Sequence, residues 1–135
     1  MVLRLVILLF AAVLALLSSA HAEDCQNAAS QRELNNCAHA AYEKSDAELN
    51  ALYKQVTGRL KGDADQTKLL VAAQRAWIAF RDAECAFVSA PTTGGSINPM
   101  VQANCRDRIT SARVNDLKSY LQCTEGDVTC PLPPK

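Results

Sequence analysis

Histidine and the motifs of catalytic centres are scarce in this chain of 135 residues. Only 2 histidines are present, and the 6 cysteines form no C-x-x-C pair, which argues against a structural zinc site. The sequence also lacks G-x-S-x-G, H-E-x-x-H and phosphate-loop motifs, which argues against three common classes of enzyme. We therefore expect no catalytic residues, no metal ligands and no cofactor, and we do not expect an enzyme.

Two pairs of side chains remain as weak candidates for chemistry. His39 and Glu43 lie four residues apart and could meet on one helix face, but no matched nucleophile accompanies them. Asp82 and Glu84 lie two residues apart, so they do not face one direction on a helix. We interpret the first pair as a surface contact and reject the second as an acid–base pair.

Basic residues are not concentrated enough on any one face to suggest a nucleic-acid partner. Lysines and arginines number 14, as do aspartates and glutamates, and the formal net charge is zero. The acids are unevenly placed, because residues 23–50 hold six acidic and two basic residues while residues 51–121 hold an excess of bases. The acidic first half could meet a basic partner, or it could be a solvated helix face.

An apolar run from Leu5 to Leu17 opens the chain, and Ala20-His21-Ala22 after it has the shape of a cleavage site. The run is shorter than the roughly 20 residues of a membrane-spanning helix. A lipoprotein signal would place a cysteine at the cleavage point, and none stands there. We expect residues 1–22 to be a signal peptide and residues 23–135 to form a single exported domain. No membrane insertion is expected after cleavage.

All six cysteines lie in the exported part, and an even number there predicts three disulfides in an oxidising compartment. Sequence alone leaves many connectivities open. The positions of the cysteines relative to the predicted helices favour Cys25–Cys37, Cys85–Cys105 and Cys123–Cys130.

Apolar residues recur at steps of three and four in three long segments. These segments predict helices at about residues 30–61, 65–89 and 98–121. Ser45-x-x-Glu48 could be a capping box that breaks the first helix, but the apolar stripe keeps its phase across Ser45, so we expect continuity. Short connections imply antiparallel neighbours. The sequence therefore predicts an all-α, antiparallel three-helix bundle with long helices, stapled by disulfides and followed by a disulfide-closed tail at 122–135.

The second predicted helix contains the only tryptophan and two of the three phenylalanines. One stripe along it consists of Leu70, Ala73, Trp77, Phe80, Glu84 and Phe87. We expect the other helices to cover this stripe. Ion pairs of Arg81 with Glu84, or of Asp82 with Arg113 of the third helix, would orient the helices at the edge of the bundle.

The second and third helices are joined by Ala90-Pro91-Thr92-Thr93-Gly94-Gly95-Ser96-Ile97-Asn98-Pro99. Two prolines bracket two glycines, which is typical of a loop with backbone freedom at its centre. The plain interpretation is a helix-to-helix turn. The alternative is a protruding recognition loop whose partner-binding residues are Gly94, Gly95, Ser96 and Asn98.

Spaced motifs along nearly the whole exported part resemble the LprI-like lysozyme inhibitor family. They include Glu33-x-Asn35-x-Cys37-Ala38, Asp46-x-Glu48-Leu49-Asn50-x-x-Tyr53, Gln74-x-x-Trp77-x-x-x-Arg81-Asp82-x-x-Cys85, Gly94-Gly95-Ser96 and Thr110-x-x-Arg113-x-x-x-Leu117. The resemblance implies a small bacterial helical domain in the periplasm or outside the cell, and its name implies inhibition of lysozyme. It transfers no catalytic residues. The residues that we expect to maintain the fold are Tyr53, Trp77, Arg81, Asp82 and Arg113.

The working hypothesis is an exported binding protein that protects the cell wall by occluding the cleft of a lysozyme. Its contact would be the Gly94–Asn98 loop or the acidic first half, which would suit the basic surface usual among lysozymes. The alternative is a periplasmic structural or interaction module that binds another envelope protein or a cell-wall fragment. The oligomeric state stays open, although exposed apolar positions on a bundle would allow a dimer.

Overall fold

Three long helices account for most of the structure, a computed structural model that describes residues 25–133. They are α1 (Gln31–Arg59), α2 (Ala64–Ser89) and α3 (Asn98–Leu121), with a short 3-10 turn at Ala90–Thr92 after α2. No strand is present between residues 25 and 133. The predicted all-α fold of three long helices is therefore confirmed, while the predicted signal peptide at 1–22 lies outside the described residues. No helix in the described range combines the length and the hydropathy that a membrane span requires.

α1 begins at a capping box, in which two residues exchange hydrogen bonds around the first turn. The Ser30 hydroxyl accepts the Glu33 N–H at 3.2 Å, and the Glu33 carboxylate accepts the Ser30 N–H at 2.9 Å. The helix then runs without a break through Ser45, which is buried and donates its hydroxyl to the Tyr42 carbonyl at 3.0 Å. Ser45 is thus satisfied inside the helix and caps no second one.

α1 and α3 run in the same direction and form the core of the bundle. At one end the Asn35 side-chain amide donates to the Ser96 carbonyl at 3.0 Å, and at the other Arg59 donates to the Leu121 carbonyl at 3.2 Å. The two helices approach each other closely along much of their length. The buried side chains between them, with one from the tail, are Leu49, Val56, Leu60, Val114, Leu117 and Leu132. Burial of one such side chain contributes about 2 kcal/mol, so this interface holds the main apolar stabilisation.

α2 runs antiparallel to the other helices and turns an unexpected side toward them. Its buried residues are Gln74, Arg81, Cys85 and Ser89. The prediction that the aromatic stripe is covered is wrong for its outer members, because Phe80 and Phe87 are 56% and 76% exposed and Ala73 is exposed as well. Leu70 and Trp77 do pack against the core.

The rotation of α2 follows from Cys85, which is 1% exposed and joined to Cys105 of α3. Phe80 lies five residues before Cys85 and Phe87 two residues after it. Since successive residues of a helix are about 100° apart, both phenylalanines point well away from the side that Cys85 turns inward. The disulfide and the aromatic stripe therefore cannot both face α3.

The six cysteines form three pairs with Cα–Cα distances of 5.7, 5.6 and 5.6 Å. The pairs are Cys25–Cys37, Cys85–Cys105 and Cys123–Cys130. Cys25–Cys37 ties the lead-in to α1, Cys123–Cys130 closes the tail, and Cys85–Cys105 links two helices. Peptide mapping under non-reducing conditions is the direct test of this connectivity, and a Cys37–Cys85 peptide would overturn it.

Candidate functional site

The Ala90–Asn98 loop is a compact turn at the end of the bundle where α1 begins. The Gly95 N–H donates to the Thr92 carbonyl at 2.9 Å, and the Asn98 N–H donates to the Gly95 carbonyl at 3.1 Å. Gly94 has a φ of 81°, in the region that favours glycine. A Cβ on Gly95 would stand 3.1 Å from the Thr92 carbonyl oxygen. The shape of the turn alone is therefore a sufficient reason for both glycines.

Two asparagine side chains anchor this loop. The half-buried amide of Asn98 donates to the Ser89 carbonyl and to the Thr92 hydroxyl, both at 3.0 Å. From α1, the Asn35 amide donates to the Ser96 carbonyl at 3.0 Å. Asn98 is thus used inside the loop, where it holds the turn in place.

The outward surface of the loop consists of Thr93, Gly94, Gly95, Ser96 and Ile97, all of them exposed. The Ile97 side chain is 39% exposed. A loop that is already fixed by hydrogen bonds loses little conformational entropy when it enters a groove on another protein. The geometry therefore suits a contact made by Ser96 and Ile97.

Two acids of the first half are paired with bases on other helices. Asp46 Oδ1 lies 3.4 Å from Arg81 Nη1 of α2, and Glu48 Oε1 lies 2.6 Å from Lys118 Nζ of α3. A basic partner would compete with these internal cations. The acidic half therefore presents less unpaired negative charge than its excess of acids over bases suggests.

His39 and Glu43 form an exposed pair on α1. His39 Nε2 lies 3.2 Å from Glu43 Oε1, and the two side chains are 63% and 66% exposed. This geometry agrees with a surface contact. Among residues 25–133, no group of three or more histidine, cysteine or acidic side chains is arranged to hold a metal ion.

Two exposed carboxyl groups have pKa values below the ordinary range. The pKa of Glu33 is lowered by hydrogen bonds from the Ser30 and Ala29 N–H groups and from the Ser30 side chain. The pKa of Asp127 in the tail is lowered by hydrogen bonds from the Thr129 hydroxyl and N–H. Both shifts arise from capping of local backbone, which makes them structural features.

Arg81 is the centre of a buried cluster between α1 and α2. Its guanidinium carbon lies 5.7 Å from the ring centroid of Tyr42 and 5.1 Å from that of Trp77. Arg81 Nε donates to Asp82 Oδ1 at 3.0 Å, and Asp46 supplies the second carboxylate. Two rings and two carboxylates thus surround a side chain that is 11% exposed.

The ion pairs expected at the bundle edge, Arg81 with Glu84 or Asp82 with Arg113, are not the ones that form. Asp82 Oδ1 lies 3.0 Å from Arg81 Nε and 3.9 Å from Arg106 Nε. Arg81 instead points toward Asp46 of α1, and Asp82 lies near Arg106, which is about two helical turns before Arg113 on α3.

Arg113 joins α3 to α2 through a polar contact. Its Nε donates to Gln74 Oε1 at 3.2 Å in a buried environment, and its guanidinium carbon lies 5.9 Å from the ring centroid of Tyr120. Asp116 lies 3.6 Å from Arg113 Nη1. Tyr53 packs, partly buried, against the core between α1 and α3. Arg113 and Tyr53 therefore both contribute contacts inside the bundle.

One exposed apolar surface was not predicted from the sequence, and we call it the outer face of α2. Its residues, all exposed, are Leu69, Ala76, Ala79, Phe80, Ala83 and Phe87. Their number on a solvent-facing side is typical of an interaction surface. The signal that could have revealed it is Cys85, whose expected disulfide to Cys105 is incompatible with an inward-facing Phe80 and Phe87.

Comparison with known proteins finds one matching family model and two uncharacterized relatives. The family model described as "Lysozyme inhibitor LprI" matches residues 22–117, which include α1, α2, the loop and most of α3. An uncharacterized protein of Rhizobium meliloti (strain 1021) is 37% identical over 114 residues, covering 76% of this chain and 82% of that protein. The uncharacterized protein YecT of Escherichia coli (strain K12) is 36% identical over 64 residues, covering 41% of this chain and 40% of that protein. No solved structure matches the chain.

Proposed function

Since this chain belongs to the LprI lysozyme inhibitor family, we propose that it is an exported binding protein that inhibits a lysozyme by occluding the enzyme's cleft. The family match over residues 22–117 carries this proposal. Export is proposed from the signal-peptide pattern of residues 1–22, and it would place the protein in the bacterial periplasm or outside the cell. In this proposal the protein acts by binding and catalyses no reaction.

The proposed contact is the Ala90–Asn98 loop. Support comes from its fixed shape, since Asn98 holds the turn through hydrogen bonds of 3.0 Å, and from its exposed position at the end of the bundle. Ser96 and Ile97 are the side chains that enter the cleft, while Gly94 and the neighbouring glycine give the turn its shape.

The acidic first half is the less favoured contact. Asp46 and Glu48 are already paired with Arg81 and Lys118, so a lysozyme would have to replace those partners. Long-range attraction of a basic enzyme remains a role for this surface, because unlike charges accelerate encounter even when they make few final contacts.

A titration of the oxidised mature protein into a cell-wall lysis assay tests the function. Chicken-type, goose-type and invertebrate-type lysozymes are assayed in parallel, with the reduced protein as a control. The proposal predicts saturable inhibition of at least one class, with loss of inhibition on reduction. A folded, oxidised protein that inhibits none of them would contradict the proposal and leave the envelope interaction module in its place.

A charge at the tip of the loop tests the contact. Ile97→Lys is expected to raise the inhibition constant by about tenfold or more, because a buried contact is replaced by a cation facing a basic enzyme. The matched control is Val128→Lys in the tail, where the side chain is 98% exposed at the opposite end of the molecule. Equal effects of the two variants would exclude the loop as the contact. Replacing Gly94 or Gly95 is a poorer test because it distorts the turn itself.

A further inference from the structure

The outer face of α2 is apolar over most of the length of the helix. Phe87, Leu69 and Phe80 are 76%, 66% and 56% exposed, and alanines fill the positions between them. From Leu69 to Phe87 the face extends about 27 Å, at about 1.5 Å per residue. It is therefore a continuous strip, in contrast to the single exposed apolar residues that occur on most protein surfaces.

α2 differs from an ordinary surface helix because it has apolar side chains on its outer side as well as on its inner side. An amphipathic helix turns its apolar side to the core and its charged side to water. In α2, the inner side mixes polar residues (Gln74, Arg81 and Ser89) with apolar ones (Leu70, Trp77 and Cys85), while the outer face is exposed to solvent. Such a pattern is expected when a helix has a second apolar neighbour that covers its outer side.

The spacing of the alanines indicates that this neighbour is another helix. They recur at alternating steps of four and three, in the order Ala72, Ala76, Ala79, Ala83 and Ala86, and all are exposed. This is the a/d pattern of a heptad repeat, which is the seam along which two helices pack. Because alanine is small, two helices packed along this seam can approach until their axes are about 8 Å apart, the short end of the usual interaxial distance.

If a second copy of α2 packs antiparallel against the first, the residues on both sides of the alanine seam meet suitable partners. With a two-fold axis crossing near residue 78, Arg75 of one copy comes beside Asp82 of the other on one edge. On the other edge, Phe80 of one copy comes beside Ala73 of the other, so that a large side chain meets a small one. Arg75 is exposed, and Asp82 is 47% exposed, so Arg75 of the second copy would share this carboxylate with Arg81 and Arg106. A parallel copy would place the Arg75 edge against the Phe80 edge and form no ion pair.

We propose that the mature protein forms a two-fold symmetric dimer through antiparallel packing of the outer faces of α2. A two-fold interface uses the same patch on both copies, and the outer face is self-complementary in size and charge only in this orientation. The dimer is independent of lysozyme binding, and its proposal rests on α2 alone.

Sedimentation velocity of the oxidised mature protein over a wide range of concentrations tests the dimer. The wild-type protein should sediment as a dimer that dissociates on dilution. Ala79→Glu places a carboxylate from each copy near the two-fold axis in an apolar seam, and it should raise the dissociation constant by about 100-fold. Ala51→Glu is the matched control, since Ala51 is exposed on α1 and lies outside the proposed interface. Circular dichroism verifies that both variants keep the helical fold.

A wild-type protein that is monomeric at every concentration would overturn the proposal. Equal dissociation constants for Ala79→Glu and Ala51→Glu would also overturn it, because the dimer would then use another surface. If the protein is monomeric and Ala79→Glu instead abolishes inhibition of lysozyme, the outer face belongs to the lysozyme contact. That result would leave inhibition of lysozyme standing, remove the dimer and show that the lysozyme contact is not confined to the loop.

Discussion

The interface between α1 and α3 and the outer face of α2 are both apolar but face opposite environments. Leu117, Val56 and Leu49 are 0%, 1% and 2% exposed between α1 and α3, whereas Phe87 on α2 is 76% exposed. α1 and α3 are thus held together by apolar burial. α2 is attached to them through a disulfide, the Arg81 cluster and the contact between Arg113 and Gln74, together with the packing of Leu70 and Trp77 against the core. These contacts hold α2 in place with few buried aliphatic side chains of its own and leave its outer face exposed.

The largest expected effect is the difference in unfolding free energy between a substitution in the core and one on the outer face of α2. Leu117→Ala should lower the free energy of unfolding by about 4 kcal/mol, because Leu117 is fully buried and its truncation leaves a cavity. Phe87→Ala should change it by no more than about 0.5 kcal/mol, because the ring is mostly exposed. Denaturant unfolding with intact disulfides, at a concentration where the protein is monomeric, measures both values. A Phe87→Ala variant as unstable as Leu117→Ala would remove the distinction between core and outer face.

A smaller effect is expected from the polar attachment of α2. Arg81→Met should destabilise the protein by about 2 kcal/mol, less than for a fully buried ion pair, because Asp46 and Asp82 are partly exposed and can be hydrated. The matched control is Lys68→Met, since Lys68 and Asp65 form an exposed pair that should contribute almost nothing. If both variants unfold at the same denaturant concentration, the Arg81 cluster does not hold α2.

The smallest expected effect concerns the start of α1 and depends on pH. The pKa of Glu33 is lowered in the folded protein, so its contribution is fully present above the ordinary carboxyl pKa and is lost as pH falls through the lowered value. Glu33→Gln keeps an acceptor for the cap but cannot titrate, and it should flatten the stability profile in that acidic window while leaving α2 unaffected. Thermal unfolding between neutral and acidic pH, compared with wild type, measures this, and parallel profiles would contradict it.

The helices could be predicted from sequence because their signals are local. The apolar phase across Ser45, the glycine and aspartate between α1 and α2, and the proline-bracketed loop each depend on a few neighbouring residues. The same local reasoning overlooked Ser30-x-x-Glu33, which forms the capping box of α1, and considered Ser45-x-x-Glu48, which forms none. The pattern is identical in both places, and only the absence of a preceding helical turn at Ser30 distinguishes them.

The rotation of α2 could not be predicted from its hydrophobic pattern. The pattern shows which residues are apolar, but it does not show which neighbour each of them faces. Phe80 and Phe87 suggest an inward side for α2 when the bundle is assumed to be its only neighbour. The inward side is instead set by Cys85, Arg81 and Gln74, whose partners lie on other helices, far away in sequence. For the loop, the turn between α2 and α3 could be predicted from its prolines and glycines, whereas the internal role of Asn98 required the three-dimensional arrangement.

Sedimentation of the oxidised mature protein mixed with lysozyme reports lysozyme binding and self-association in one experiment. Antiparallel pairing of α2 places the two loops at opposite ends of the dimer, so both can be occupied at once. We predict a complex that saturates at one lysozyme per protomer on a dimeric inhibitor. Lysozyme and the protein sedimenting as separate species at every ratio would contradict it.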